Sequence, residues 1–345
     1  MERIKTRNPQ PSLILMYNLD TERVAEEIEK RGASSVLLQL PDGLRPTAFR
    51  LSKELKQRTG AEILISGDSC YGACDLALDQ ADAIGADLIV HYGHSRMIET
   101  STPVIYVEAV YDFDVQALIE DALPFIAEWD SVGLTTTAQH IHKIHEVAQI
   151  LELEGLKPQI GEKGDGHPGQ ILGCDYATAE SISHLVQGYL YIGAGRFHPL
   201  GLAVNTGKPV AIADPYTMEA RMLDERQVTR LAMRRMAAIK IADKAQTFGV
   251  LLSTKPGQLS TSTAQILQEK LRGDGRDAAI IVLDEITTLR LGDFTEPQAF
   301  IVMACPRIAI DGLPDENRPL LTPTETLIVL NEKTWEAAWG QGYIG

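Results

Sequence analysis

The sequence predicts an α/β protein of three similar domains, each a small, mostly parallel sheet with flanking helices, arranged around a central cluster site. Three observations predict it. Short β-branched apolar runs alternate with amphipathic helical patterns along the chain. The alternation restarts near Asp130 and again near Thr247, which divides the chain into units of ordinary domain size. Three of the four cysteines, Cys74, Cys174 and Cys305, recur one per unit, each just after an apolar run. The expected domains are 1–121 with Cys74, 122–218 with Cys174, and 219–345, a bridging helix and a third α/β domain with Cys305.

The elements follow in order. SVLLQL (35–40) reads as a strand, and the turn and amphipathic helix of PDGLRPTAFRLSKELKQRTG follow it. EILIS (62–66) is the next strand, CDLALDQADAIG a helix closed by glycine, DLIVHYG a strand with its turn, and PVIYVEAVY (103–111) a fourth strand. In the second unit SVGLTTT is a strand and AQHIHKIHEVAQILELEG a helix ending at Gly155. KPQIG is strand-like, ATAESISHLVQG helical, YLYIGAG a strand and turn, and PVAIADP (209–215) a closing strand. One long helix is expected over MEARMLDERQVTRLAMRRMAAIKIADKA. In the third unit TFGVLLSTKPGQ is strand then loop, STAQILQEKLRG a helix, and DAAIIVLDEI and QAFIVMACPR strands; TLIVL (326–330) is expected as the last strand. Apolar runs bounded by turns and separated by helices are the pattern of parallel strands covered on both faces.

Composition excludes several classes. With 32 Lys and Arg against 47 Asp and Glu, the net charge of −15 argues against nucleic-acid backbone binding, which needs clustered cations. The N-terminus MERIKTRNPQPSLILMY lacks the apolar core of a signal peptide, and no run approaches the length that crosses a bilayer. A cytoplasmic protein with reduced thiols is expected, so its cysteines point to metal or redox chemistry rather than to disulfides.

The segment GDSCYGACD (67–75) is the richest in chemistry. Gly67 and Gly72 permit tight turns, and Cys70 and Cys74 have C-x3-C spacing. The C-x3-C-x2-C loop of the usual radical S-adenosylmethionine enzymes is absent, because its third position is Ala77. Two thiols four residues apart hold zinc only with further ligands. LGCD (172–175) and ACPR (304–307) are weak signals individually, since a lone cysteine after a strand is most often a core residue. Ligands of open parallel sheets lie beyond the carboxyl ends of the strands. Three thiolates meeting there suit an iron–sulfur cluster with one coordination position open. Spacing alone leaves both readings standing.

LLSTKPGQ (251–258) offers Lys255 and backbone N–H groups to an anion but lacks the order of a Walker loop. YIGAGRFHPLG (191–201) has Gly-x-Gly after a strand without the dinucleotide fingerprint. HYGHS (91–95) sets His91 and His94 at a strand end. In AQHIHKIHE the histidines read as part of a solvated helix, with His142 and His145 on one face and His140 on another. Asp42 in LPDG and Asp214 in DPY read as turn residues.

In this order, GDSCYGACD, HYGHS, LGCD, YIGAGRFHP, DPY, LLSTKPGQ and ACPR resemble the archaeal radical enzymes of diphthamide biosynthesis over nearly the whole chain. The resemblance implies three α/β domains, each giving one cysteine, here Cys74, Cys174 and Cys305, to a 4Fe–4S cluster. Cys70 falls where the family motif requires no thiol. The implied activity is transfer of the 3-amino-3-carboxypropyl group of S-adenosylmethionine to a histidine of translation elongation factor 2. The new bond is to the imidazole carbon between the two nitrogens, and 5′-methylthioadenosine and a proton are released. A homodimer and an external electron donor are implied as well. Within that resemblance Lys255, Gln258 and Arg307 are assigned to the anionic end of S-adenosylmethionine, and His94 to its pocket. Two other readings remain: a non-catalytic, cluster-bearing partner or electron-relay subunit, and a nucleotide-binding α/β enzyme with structural cysteines.

Overall fold

The computed structural model describes residues 17–162 and 166–344, so most of the N-terminal segment read above lies outside it. The chain divides into two compact units. The first comprises residues 1–113 with Ala138–His142, and the second Asp114–Thr137 with Lys143–Gly345.

In the first unit the elements are β1 (Tyr17–Asn18), α1 (Thr21–Arg31), β2 (Ser35–Gln39), α2 (Ala48–Thr59), β3 (Glu62–Ile65), α3 (Leu78–Ile84), β4 (Leu88–Tyr92), β5 (Val104–Val107) and β6 (Val110–Tyr111). The main sheet runs β3-β2-β4-β5, all parallel. Successive residues of one strand serve opposite faces. Val36 and Leu38 pack with Val24 and Ile28 of α1 and Leu51 and Leu55 of α2, while Leu37 and Ile89 meet Ala81 of α3. Each fully buried leucine or isoleucine there contributes about 1.5–3 kcal/mol. The expected strand 103–111 is broken in two. Ala109 has φ 55°, a left-handed turn, and β6 leaves the parallel sheet to pair antiparallel with β1.

The second unit holds α4 (Val115–Ile126), β7 (Ser131–Thr136), α5 (Ile144–Leu153), β8 (Lys157–Gln159), α6 (Ala177–Ile182), β9 (Gly188–Ile192), α7 (Phe197–Thr206), β10 (Val210–Asp214) and β11 (Glu219–Met222). It continues with α8 (Glu225–Ala242), β12 (Thr247–Ser253), α9 (Thr261–Gly273), β13 (Asp277–Leu283), α10 (Thr288–Gly292), β14 (Ala299–Met303), α11 (Arg307–Asp311), β15 (Leu320–Leu321), α12 (Pro323–Val329) and α13 (Trp335–Ala338). Its two sheets run β11-β10-β9-β7-β8 and β13-β12-β14-β15. Within each of the three main sheets the parallel strands, counted along the chain, stand in the order second-first-third-fourth. In that order the connections leave the first and third strands in opposite directions. The crevice beyond their carboxyl ends is the usual ligand position of such sheets.

Three further expectations are corrected. The run 326–330 is helix, not strand: Thr322 caps α12 by accepting from the Glu325 N–H, and Glu325 returns by accepting from the Thr322 N–H. That reciprocal box, with Pro323 in the first turn, outweighs the β-branched content of TLIVL. Residues 219–222 form an antiparallel edge strand, not the start of the long helix. Met218 turns the chain with φ 56°, and Asp224 caps α8 through its side chain. His140 is not solvated. It sits on a 3-10 turn, 2% exposed, with its ring edge-on to Tyr111 and Phe113, while His142 Nε2 stands 3.0 Å from Asp112. Burial holds the His140 imidazole at about 4, below its usual range.

Candidate functional site

In the first unit, the loop after edge strand β3 carries Cys70 and Cys74. It is closed on itself: the Asp75 N–H donates to Gly72 O, and Asp75 accepts from the Tyr71 N–H. Gln39, at the end of β2, clamps the loop from the neighbouring strand by donating to Asp75 O at 2.6 Å and accepting from the Ala77 N–H at 3.1 Å. Cys74 is half-buried, and a Cβ on Gly72 would stand 3.3 Å from its sulfur, so this glycine keeps the space around the thiol open. Cys70 lies deeper, 6% exposed, and burial first, then the charge of Asp75, pushes its thiol up to about 12. His91 lies within β4 and His94 two residues beyond its end. His91 Nδ1 stands 2.9 Å from Gln39 Oε1 and its Nε2 3.0 Å from His94 Nδ1. The Cys70 sulfur and one ligand atom of each histidine lie within 4.8 Å of one another.

In the second unit, Cys174 occupies a tight turn after β8 in which Leu172 and Asp175 bond each other's backbone. A Cβ on Gly173 would strike the Phe197 ring at 2.7 Å, so glycine is what lets that ring close over the turn. The Arg307 guanidinium lies 4.1 Å above the same ring. Tyr176, 1% exposed beside Cys174 and Arg307, has a hydroxyl with no hydrogen-bond partner, and burial above all raises it. His198 stacks on Tyr191, and burial, then Arg307, lowers its imidazole to about 4. Cys174 and Arg307 therefore share one neighbourhood.

Cys305 follows β14, the third strand of its sheet, and begins the turn into α11. Its N–H donates to Gln258 Oε1 at 3.1 Å, and its carbonyl accepts from the Ile308 N–H. Gln258 comes from the loop after β12, the first strand, so one hydrogen bond bridges the crevice of this sheet. Lys255, 8% exposed, starts that loop, with Nζ 4.0 Å from the exposed Asp284 carboxylate. Arg307 is exposed and forked onto Asp311 through Nε at 2.9 Å and a terminal nitrogen at 2.7 Å. The structure thus gathers Lys255, Gln258, Cys305 and Arg307 around the ends of β12 and β14. His94 belongs to the first unit. The sequence reading missed Gln39, whose only signal was a polar residue ending an apolar strand. It also missed Arg235, treated below.

Such a molecule is a mostly parallel α/β protein with half-buried cysteines, none in a disulfide, on loops at the carboxyl ends of its strands. Residues 40–340 match the model of the putative diphthamide synthesis proteins. The chain belongs to that family. It is 37% identical to 2-(3-amino-3-carboxypropyl)histidine synthase of Pyrococcus horikoshii over 92% of this chain and 91% of that one. It is 31% identical to subunit 1 of the Homo sapiens synthase over 93% of this chain and 73% of that one. The crystal structure of Dph2 from Pyrococcus horikoshii superposes with a TM-score of 0.84 at 37% identity over 92% of both chains. A second structure of that protein, with a 4Fe–4S cluster, matches equally well. The residues here fit such a group in kind: among the four cysteines none is in a disulfide, and Cys74, Cys174 and Cys305 are the half-buried ones. No helix among the described residues is long and apolar enough to cross a membrane.

Proposed function

We propose that this chain transfers the 3-amino-3-carboxypropyl group of S-adenosylmethionine to a histidine of translation elongation factor 2, the first step of diphthamide biosynthesis. The observation that carries the reading is the family match over 40–340 together with a cluster-bearing relative of the same fold. Cys74, Cys174 and Cys305 are assigned as the cluster's thiolate ligands, one from each α/β domain (1–121, 122–218 and 219–345). Three thiolates leave one iron open to the cosubstrate. When bound, the reduced cluster supplies the electron that splits the sulfonium bond to the aminocarboxypropyl arm. The protein's part is to bind, orient and keep water away.

Lys255 and Arg307 supply positive charge to the cosubstrate carboxylate, and the Gln258 amide group a donor. Asp311 and the Phe197 face hold the Arg307 guanidinium in one plane, so little freedom is lost when a carboxylate joins it. His94 is assigned to the pocket through Nε2, because Nδ1 is engaged by His91. Transfer to the imidazole carbon releases 5′-methylthioadenosine and the proton of that carbon. The enzyme works as a cytoplasmic homodimer fed by an external electron donor.

The deciding experiment is anaerobic turnover with the purified chain, reductant, S-adenosylmethionine and elongation factor 2. Stoichiometric 5′-methylthioadenosine and a modified histidine are expected. Cluster reduction without either product would reduce the chain to an electron-relay subunit.

Gln258→Leu tests the clamp on Cys305. It removes the acceptor for a half-buried N–H, a local cost of about 1–3 kcal/mol. Iron loss to a chelator is expected to become several-fold faster, and Gln258→Glu, which keeps an acceptor, to restore most of the retention. Unchanged iron release in Gln258→Leu would remove Gln258 from this role.

A further inference from the structure

The group Gln39, Cys70 and His91, with the Nδ1 side of His94, has chemistry that the proposed group transfer does not use. Gln39 and His91 are register partners on adjacent strands β2 and β4. The Gln39 amide is oriented without ambiguity: Oε1 accepts from the Ala77 N–H and Nε2 donates to Asp75 O. A backbone N–H only donates and a backbone carbonyl only accepts. His91 Nδ1, 2.9 Å from that same Oε1, must therefore carry the ring proton. His91 Nε2 is then an acceptor on a fully buried side chain, and the His94 Nδ1–H donates to it at 3.0 Å. The Cys70 sulfur lies within 4.8 Å of one ring nitrogen of each histidine, and ligation through His94 Nδ1 moves that ring's proton to Nε2.

We propose that Cys70, His91 and His94 form a binding site for one zinc ion, separate from the three-thiolate site. The ligand set is one thiolate and two imidazoles, with a fourth position left for water. Tetrahedral zinc, with bonds of about 2.0–2.1 Å to nitrogen and 2.3 Å to sulfur, sets its nitrogens about 3.3 Å apart and each nitrogen about 3.6 Å from sulfur. His91 Nε2 and His94 Nδ1, 3.0 Å apart, are close to that spacing, and a sulfur within 4.8 Å has at most about 1.2 Å to close. The Gln39 carbonyl on His91 Nδ1–H is the outer hydrogen bond that fixes a ligating imidazole in its tautomer. Burial favours the neutral ring forms that coordinate, with His91 at about 3 and His94 at about 4. The Cys70 thiol keeps its proton until a cation replaces it, so one proton leaves per zinc bound. This explains a cysteine that the three-thiolate reading leaves without a purpose, and its inference does not depend on that reading.

The test uses the full chain with Cys74, Cys174 and Cys305 all replaced by alanine, titrated anaerobically with cobalt(II) as the probe. One cobalt per chain is expected, with thiolate-to-cobalt charge transfer and tetrahedral ligand-field absorption, both removed by zinc. Cys70→Ser, nearly the same shape, abolishes the charge-transfer band. Gln39→Leu keeps the band but weakens affinity by about 10–100-fold, as loss of an outer hydrogen bond does. X-ray absorption on the zinc form reads one sulfur and two nitrogens without any further substitution, which covers a Cys70→Ser variant that does not fold. In the unaltered chain with its cluster assembled, elemental analysis is expected to find one zinc beside the iron. Cobalt without thiolate absorption, a band that survives Cys70→Ser, an all-oxygen shell, or zinc entering only as iron leaves would each overturn the assignment.

Discussion

Alanine at Cys74, Cys174 or Cys305 is expected to lower anaerobic iron and sulfide content sharply and turnover by more than about 100-fold. Loss of a mere outer hydrogen bond at a metal site already costs about 10–100-fold. The three thiols are half-buried on loops beyond strand ends, and each loop is shaped around its residue. Gly72 opens space at Cys74, Gly173 admits Phe197 beside Cys174, and Gln258 anchors the Cys305 N–H. Cys70→Ala is expected to keep the iron and most of the turnover, because that thiol is buried and holds its proton to about 12. Elemental analysis and electron paramagnetic resonance of the four variants, with and without S-adenosylmethionine, check the set. Normal cluster signals in any of the first three would sink the ligand assignment.

Arg235→Ala is expected to destabilise the second unit by about 3–5 kcal/mol, read as a lower urea midpoint, because a lone buried charge remains. Arg235 on α8 is 4% exposed and Glu325 on α12 is 0% exposed. They join through two hydrogen bonds of 2.7 and 2.5 Å, and the Tyr343 hydroxyl donates to the same carboxylate. Two further guanidinium protons go to Ala309 O and Leu320 O, each at 2.6 Å. Arg234 donates to Ile310 O beside them. These bonds hold α11, the helix that begins two residues after Cys305, so the variant should also lose iron faster. Replacing Arg235 and Glu325 together by apolar residues of similar volume is expected to recover much of the stability, since the cost of burying charge disappears with the charges. Equal losses in the single and double variants would show that the ion pair does not act as a unit.

Local chemistry made most of the strands legible. SVLLQL, DLIVHYG, PVAIADP and QAFIVMACPR are buried on both faces, so their apolar character is continuous and no partner is needed to read it. TLIVL failed for the opposite reason. Its side chains resemble a strand, but Thr322 and Glu325 had already committed the backbone to a helix. Residues 219–222 failed because α8 was extended past its own cap at Asp224. His140 looked solvated because a helical wheel assumes an α-helix, whereas this segment is a 3-10 turn folded against Tyr111 and Phe113.

The order of motifs, the recurrence of one cysteine per α/β unit and the helix stop at each closing glycine are properties of neighbouring residues, so the chain alone determined the class, the family resemblance and the thiols to suspect. Partners far apart along the chain were decided only in three dimensions. Gln39 meets His91 from 52 residues away, Gln258 meets Cys305 from 47, and Arg235 meets Glu325 from 90. The second-first-third-fourth strand order brings the first two pairs together, because it sets the first and third strands side by side, while Arg235 and Glu325 meet between helices α8 and α12. A buried polar group must find its complement wherever the fold supplies one, and no local pattern records which distant residue that is.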